Sequence, residues 1–362
     1  MYKKILLIIN LILVSCNINS QILKYSNDFL NIGVNASDIA LGGSVFATNS
    51  NISAAYYNPA SLININNNYE ASIMHAQYYS GIAKFDYGAF GFKLSDSSFI
   101  SFSMVRYGID NIQNTLFLID ENGNLNYDKI TYFSVADYAF WGSYAQKTNI
   151  RGLSIGGSFF IIYRHLGSFA KGYGFRADIA VNYKIKKWQI GVVLTNATTS
   201  YTAWFVSIDE QMKHIFEQTN NEIPKNSIEI TTPQLNTGIG KNFVLSKKLS
   251  FRSEISFNIT FDGKRNSLIK FGFMNIYPQT GIELSISNTF FIRGGVKNFQ
   301  FSPKFIPKDS TNNNNSQQRI DFVPSLGLGF HYKGFVFDYA FTNFINGSSD
   351  FYSHIISVGL KF

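Results

Sequence analysis

The chain has 362 residues, of which 45% are hydrophobic, 16% aromatic and only 15% charged, with a formal net charge of +8. Soluble domains carry about 25% charged residues, so part of this surface meets something less polar than water. The basic excess is scattered, which excludes a nucleic-acid footprint gathered on one face, and beyond the N-terminus no run approaches the ~18 apolar residues of a spanning helix.

Residues 1–20 read as an export signal: Lys3 and Lys4 form a basic start, Ile5 to Val14 an apolar stretch, and Ser20 a small residue before Gln21. The apolar run is too short to anchor the chain, so cleavage after Ser20 is expected. The alternative is lipidation, because Leu13-Val14-Ser15-Cys16 matches a lipoprotein cleavage box around the only cysteine. Cleavage removes two lysines, taking +8 to +6, and leaves a mature chain without thiol chemistry.

Residues 21–66 do not read as membrane strand. Asp28, Asn31, Asp38, Asn49 and Asn51 stand among small apolar residues, ahead of Ala54-Ala55-Tyr56-Tyr57-Asn58-Pro59-Ala60. Gly42-Gly43 and the restriction that Pro59 places on Asn58 predict turns and short helices. Such a segment ahead of a barrel is expected to fill it, or its periplasmic mouth, as a plug.

From residue 67 onward the pattern has period two. Tyr173, Phe175, Ala177, Ile179, Val181, Tyr183 and Ile185 alternate with Gly174, Arg176, Asp178, Ala180, Asn182 and Lys184; Leu249 to Phe261 repeats the alternation. Alternation puts one set on each face of a strand. It persists for ten to thirteen residues in these segments, about the length a tilted strand needs to cross a bilayer. Strands are predicted near 69–80, 84–94, 98–107, 133–147, 153–165, 173–184, 187–196, 233–244, 249–261, 276–286, 289–299, 320–332, 335–344 and 351–362. That makes an all-β fold, a transmembrane antiparallel β-barrel of about fourteen strands, an even number as in bacterial single-chain barrels. The tenth strand is the least certain, because Ser267 to Phe273 also has strand character. The intervening loops alternate between tight and generous, as periplasmic turns and outside loops do. Ile356, Val358, Leu360 and Phe362 share one parity, so the chain closes on an alternating strand with a terminal aromatic.

Two connections stand out. Residues 310–318 are low in complexity and rich in Asn and Gln. Residues 197–232 carry Ser207 and Glu210 as a capping box, then Ile208, Met212, Ile215 and Phe216 at helical spacing, preceded by Tyr201, Trp204 and Phe205. An amphipathic helix is predicted there, packing the loop onto the rim or meeting a partner.

Catalytic chemistry is not indicated. Gly238-Ile239-Gly240 lacks the rest of a phosphate loop. His75, His165, His214, His331 and His354 have no ligand-spaced neighbours. Asp209 and Glu210 fall in the capping turn, where the helix dipole explains them. No cofactor or metal is expected. Arg176, Asp178, Arg252, Glu254, Glu283 and Asp338 are predicted to face the lumen and to pin the plug, in which Gly42, Gly43, Asn58 and Pro59 are the marked positions.

Three stretches together resemble the N-terminal region of the PorV/PorQ family: Lys24 to Val34, Ala40-Leu41-Gly42-Gly43-Ser44, and Ala54 to Leu62. The resemblance continues through Phe261 to Asn266 and Ile292-Arg293-Gly294-Gly295, so it covers nearly the whole mature chain. It departs at Ser53, where relatives often place an acidic residue. The Asn-Pro-Ala element is shared with FadL-type transporters, so by itself it assigns only that broader group. The resemblance implies an integral outer-membrane protein with a FadL-like barrel, closest to an accessory PorV-like paralogue of type IX secretion. Its implied role is non-enzymatic, binding or anchoring secreted cargo or secretion partners at the cell surface, with Tyr201, Trp204, Phe205 and Phe216 as candidate contacts. The alternative, which the FadL architecture also permits, is a channel for uptake of hydrophobic small molecules. An apolar pocket leading to a gap between strands would favour the channel; an exposed aromatic rim would favour cargo.

Overall fold

In a computed structural model of the chain, which describes residues 26–119, 123–263, 265–303, 318–343 and 352–362, the described strands form one sheet that closes on itself. The readings on residues 1–25, and all but the end of the 310–318 stretch, fall outside the described residues. In chain order the strands are β1 (Tyr69–Tyr78), β2 (Ala83–Ser95), β3 (Ser98–Asn114), β4 (Thr131–Lys147), β5 (Leu153–Leu166), β6 (Ala170–Ile185), β7 (Trp188–Thr195), β8 (Ser200–Val206) and β9 (Ser227–Thr231). They continue with β10 (Gln234–Ser246), β11 (Leu249–Thr260), β12 (Ile269–Phe271), β13 (Met274–Ile286), β14 (Phe290–Pro303), β15 (Gln318–Tyr332), β16 (Phe335–Asn343) and β17 (Tyr352–Lys361). Fourteen of them are staves of a closed antiparallel barrel; β8 and β9 prolong β7 and β10 upward, and β12 is a short hairpin partner of β13. Closure pairs Glu70 with Lys361, and Tyr69 donates its backbone N–H to the Phe362 carbonyl at 2.7 Å.

The staves form where period-two alternation is strongest. On β6, Tyr173, Phe175 and Ile179 are exposed on the outer wall, while Arg176, Asp178 and Asn182 are buried inside. The exposed apolar set recurs around the barrel (Phe102, Phe159, Ile161, Ile282, Leu326), so the outer face is made for lipid. No helix among the described residues is long and apolar enough to cross a membrane.

Several boundaries moved. β3 reaches Asn114 and β4 starts at Thr131, so the long loop expected at 108–132 is shortened by strand pairing above the membrane. The loop expected at 166–172 is a tight turn, because β5 and β6 pair up to Leu166 and Ala170. The largest difference lies at 197–232, where β8 re-pairs with the upper half of β6, from Ala170↔Val206 to Phe175↔Tyr201. Ser200 to Val206 alternate too weakly to be read as strand alone, and the pairing is non-local. Between β7 and β8, Asn196 to Thr199 bulge, with Asn196 and Thr199 at φ 55° and 62°. The wall stays stitched there: Asn196 donates its N–H to Asp178 Oδ1 at 2.9 Å, and Ala197 to the Ala177 carbonyl at 2.8 Å.

Residues 26–66 run inside the barrel. They form two short helices, α1 (Ala36–Ala40) and α2 (Ala54–Tyr57), and 3-10 turns at Asp28–Asn31 and Pro59–Asn64. Their apolar side chains (Val34, Ile39, Val45, Tyr57) join inward residues of the wall such as Trp141 and Phe160 in one core. The segment lies so close to the wall that a side chain at seven inward glycines (Gly91, Gly156, Gly191, Gly240, Gly281, Gly295, Gly327) would collide with it. A Cβ on Gly191 would stand 1.9 Å from the Phe46 carbonyl oxygen, and one on Gly295 would stand 2.1 Å from the Leu41 carbonyl carbon.

Candidate functional site

Inside the barrel, polar wall residues grip the luminal segment. Glu254 on β11 accepts from the backbone N–H of Ala47 (2.9 Å) and Thr48 (2.8 Å) and from Thr48 Oγ1 (2.6 Å). Arg252, two residues below it, donates to the Thr48 carbonyl at 3.2 Å. Asn58 is extended, as the following Pro59 requires, and caps the 3-10 turn by accepting from the Ala60 N–H at 3.0 Å. Its amide donates to the Phe46 carbonyl at 2.6 Å and, across to the wall, to the Val181 carbonyl at 3.3 Å. Gly42 and Gly43 both adopt positive φ (64° and 72°), which turns the chain against β14.

Ser53 donates to the Asp38 carboxylate. Asp38 also accepts from Ser37 Oγ at 3.1 Å and Asn49 Nδ2 at 3.4 Å. Burial is the main cause that pushes its carboxyl up to about 6; the Ser53 hydrogen bond and the Arg252 and Arg293 charges oppose it. A raised carboxyl pKa favours the protonated folded form, so this group's stabilising contribution is complete below about 3.8 and is lost as pH rises through about 6. Asp38→Asn is therefore expected to stabilise the folded barrel at pH 8, by on the order of 1 kcal/mol, and to change little at pH 4. Thermal unfolding in detergent at the two pH values checks this; an equal shift at both would show that Asp38 does not titrate in this range.

The other predicted lumen residues are inward, but not all touch the segment. Arg176 pairs with Asp178 at 2.5 Å and lies 4.3 Å over the Phe160 ring, with no hydrogen bond to residues 26–66. The expectation that Arg176 pins the segment is corrected: a carboxylate two residues away on the same strand captures it first. Near the periplasmic end a ladder crosses five staves: Arg252 to Glu283 (3.1 Å), Glu283 to Arg293 (2.6 Å), Arg293 to Asp338 (2.6 Å), and Asp338 to His331 (3.1 Å). Each charge on it has a partner, as buried charges need.

Above the segment, at the extracellular rim, lies a cavity of about 910 Å³. Its apolar lining includes Leu116, Phe133, Phe169, Trp204, Ile215 and Phe216. Helix α3 (Glu210–Gln218) forms one side of it. The helix was expected from periodicity, but its cap is Asp209, not Ser207: Asp209 Oδ1 accepts from the Met212 N–H at 2.8 Å. Near the cavity, Arg164 on β5 joins Asp137 (2.8 Å) and Glu229 (3.4 Å) and lies 4.8 Å over the Trp204 ring and 6.0 Å over Phe29 of the luminal segment. Lower cavities are less apolar: one of about 350 Å³ beside the segment includes Arg176, Asn236 and Asn258, and one of about 740 Å³ at the periplasmic mouth mixes Lys147, Lys184 and Arg252 with Ile63, Phe251 and Phe291.

The four aromatics singled out from 197–232 thus divide across the wall. Trp204 and Phe216 face the rim cavity. Tyr201 and Phe205 face outward, with rings 5.6 Å from Phe175 and 6.0 Å from Tyr173. Trp204, with Tyr201 and Phe205, belongs to β8, not to a loop. Strand alternation explains the division, since residues 201 and 205 share a parity that 204 does not.

Neither a protein-family model nor a curated protein sequence matches this chain. Solved structures do. The CymD monoaromatic hydrocarbon channel superposes with a TM-score of 0.53 at 12% identity, covering 91% of this chain and 98% of its own. The Pseudomonas putida toluene transporter TodX gives 0.52 at 11% identity, covering 91% and 99%. The barrel is FadL-like. At such identities the likeness establishes the fold, that of an integral outer-membrane β-barrel, and the resemblance to the PorV/PorQ family gains no support from it.

Sequence reading did not single out Arg164, Asp137 or Glu229, nor Leu116, Phe133 and Phe169. Arg164 had a usable signal, since it falls on the inward parity of β5 with Ser158 and Ile162. The others come from segments that only the closed barrel brings together.

Proposed function

We propose that this protein is a non-enzymatic outer-membrane channel that admits small hydrophobic molecules from outside, with residues 26–66 as its plug. The observation that carries this reading is the apolar rim cavity, closed on one side by α3, whose size lies within the roughly 300–1,000 Å³ of small-molecule sites. The aromatics of the 197–232 region supply part of its lining, and the fold is shared with the CymD monoaromatic hydrocarbon channel and the toluene transporter TodX.

A secretion role, implied by the PorV/PorQ resemblance, ranks second. It keeps one supporting observation, the exposure of Tyr201 and Phe205 on the outer wall of β8. That exposure suits an interfacial aromatic belt equally well.

Trp204→Ala/Phe216→Ala is the test. Toluene uptake by cells with matched barrel levels is expected to fall about tenfold, the equivalent of ~1.4 kcal/mol of lost apolar contact. Heat-modifiable migration should be unchanged, because both side chains face the cavity. Unaltered uptake together with loss of secreted-protein capture in pull-downs would favour the secretion role.

A further inference from the structure

The short-turn end of the barrel is strongly basic. Lys147, Arg151, Lys186, Lys187, Lys247, Lys248 and Lys333 stand exposed at or beside its turns, and among the described residues Asp96 is the one carboxylate within those turns. Short turns mark the periplasmic side.

One cation in this region is placed differently from the rest. Lys241 lies on the outward parity of β10, with Ile239 and Phe243, directly opposite Trp188 of β7. Its Nζ stands 4.7 Å from the Trp188 ring centroid and 4.6 Å from that of Phe243. No carboxylate of the described residues pairs with it. Lys186 and Lys187 form the turn that leads directly into Trp188, and Lys247 and Lys248 form the turn that ends β10. The outward neighbours Ile190 and Ile239 are exposed and apolar.

We propose that Lys241, with Lys186 and Lys187, binds the phosphate of an anionic phospholipid of the periplasmic leaflet, its acyl chains lying along Ile190 and Ile239. Facing lipid, a lysine has no aqueous counter-ion nearby, and its stem reaches toward the interface to keep the ammonium hydrated. Two aromatic faces hold that ammonium in place. A headgroup phosphate at this depth meets three cations, while its glycerol ester region meets Trp188, whose ring suits the same level. The lipid-facing position favours a lipid over a periplasmic protein, which would have to displace acyl chains to reach Lys241. The inference is independent of what the lumen carries.

Native mass spectrometry of the full-length protein released from detergent tests it, with phosphatidylglycerol, phosphatidylcholine or sodium phosphate added. Phosphatidylglycerol adducts are expected to exceed phosphatidylcholine adducts, with sodium phosphate unable to displace them. Lys241→Gln should weaken phosphatidylglycerol binding about fivefold, as each lysine near an anionic surface contributes about that factor. Lys186→Gln/Lys187→Gln, confined to a turn and so safe for assembly, should weaken it more. Lys333→Gln, in a different turn, is the control and should change nothing. Equal binding of the two lipids, unchanged binding by the first two variants, or an equal loss in the control would overturn the site. Displacement by millimolar phosphate would overturn the lipid assignment in favour of free phosphate.

Discussion

Glu254→Ala is expected to release the luminal segment from the wall. The carboxylate is buried and accepts three hydrogen bonds from Ala47 and Thr48, two of them from backbone groups with no other acceptor at hand. Removing it leaves those donors buried and unmet, and hydrogen bonds to a charged acceptor are the strong kind. A destabilisation of roughly 3–5 kcal/mol follows. Glu254→Gln keeps an acceptor oxygen and should lose about half as much. Limited proteolysis of the folded barrel reads the result, since residues 44–49 become cleavable only if their seat is lost. Equal protection in the parent and both variants would mean that the apolar packing around Val45 and Phe46 holds the segment unaided.

A second large effect is expected on the outer wall. Phe257 lies on the lipid-facing parity of β11 beside exposed Ile255, within the strand, whereas Asn258 points inward and lines a polar cavity. Phe257→Arg places a charge in lipid, at a cost that reaches ~2–4 kcal/mol at mid-depth. Asn258→Arg enters a space already shared with Arg176, Asn236 and Gln279, and loses only the 2.6 Å bond to Asn236. Heat-modifiable migration should fail for the first variant and persist for the second. The same outcome for both would reverse or erase the assigned faces.

These outcomes bear on what was readable from sequence. The staves were, because a lipid face on one side and a polar lumen on the other impose strict alternation, as along Tyr173 to Ile185. The count of fourteen also held, although the expected alternation of short turns and longer loops fails at the tight connection between Leu166 and Ala170. The β8 and β9 extension was not readable. Its register depends on Phe175 meeting Tyr201 across the bulge at Asn196 to Thr199, a non-local choice. Helix α3 was readable from Met212, Ile215 and Phe216, but its cap was not, because Ser207 and Asp209 are both good caps and geometry selected the second. The rim cavity was half readable: Trp204 and Phe216 were marked, without the parity that turns Trp204 inward and Tyr201 outward.

The seven inward glycines that abut the luminal segment have a consequence for the cell envelope. At those positions the staves present bare backbone, so the lumen there is wider than one lined by side chains, and residues 26–66 fill the difference. The permeability barrier is therefore divided between two parts of one chain, a thinned wall and its filler. A barrel that lost the filler would be leakier than a barrel of the same strand number with ordinary inward residues. At these positions the open cross-section of the lumen is thus set by where residues 40–60 lie, not by inward side chains of the wall.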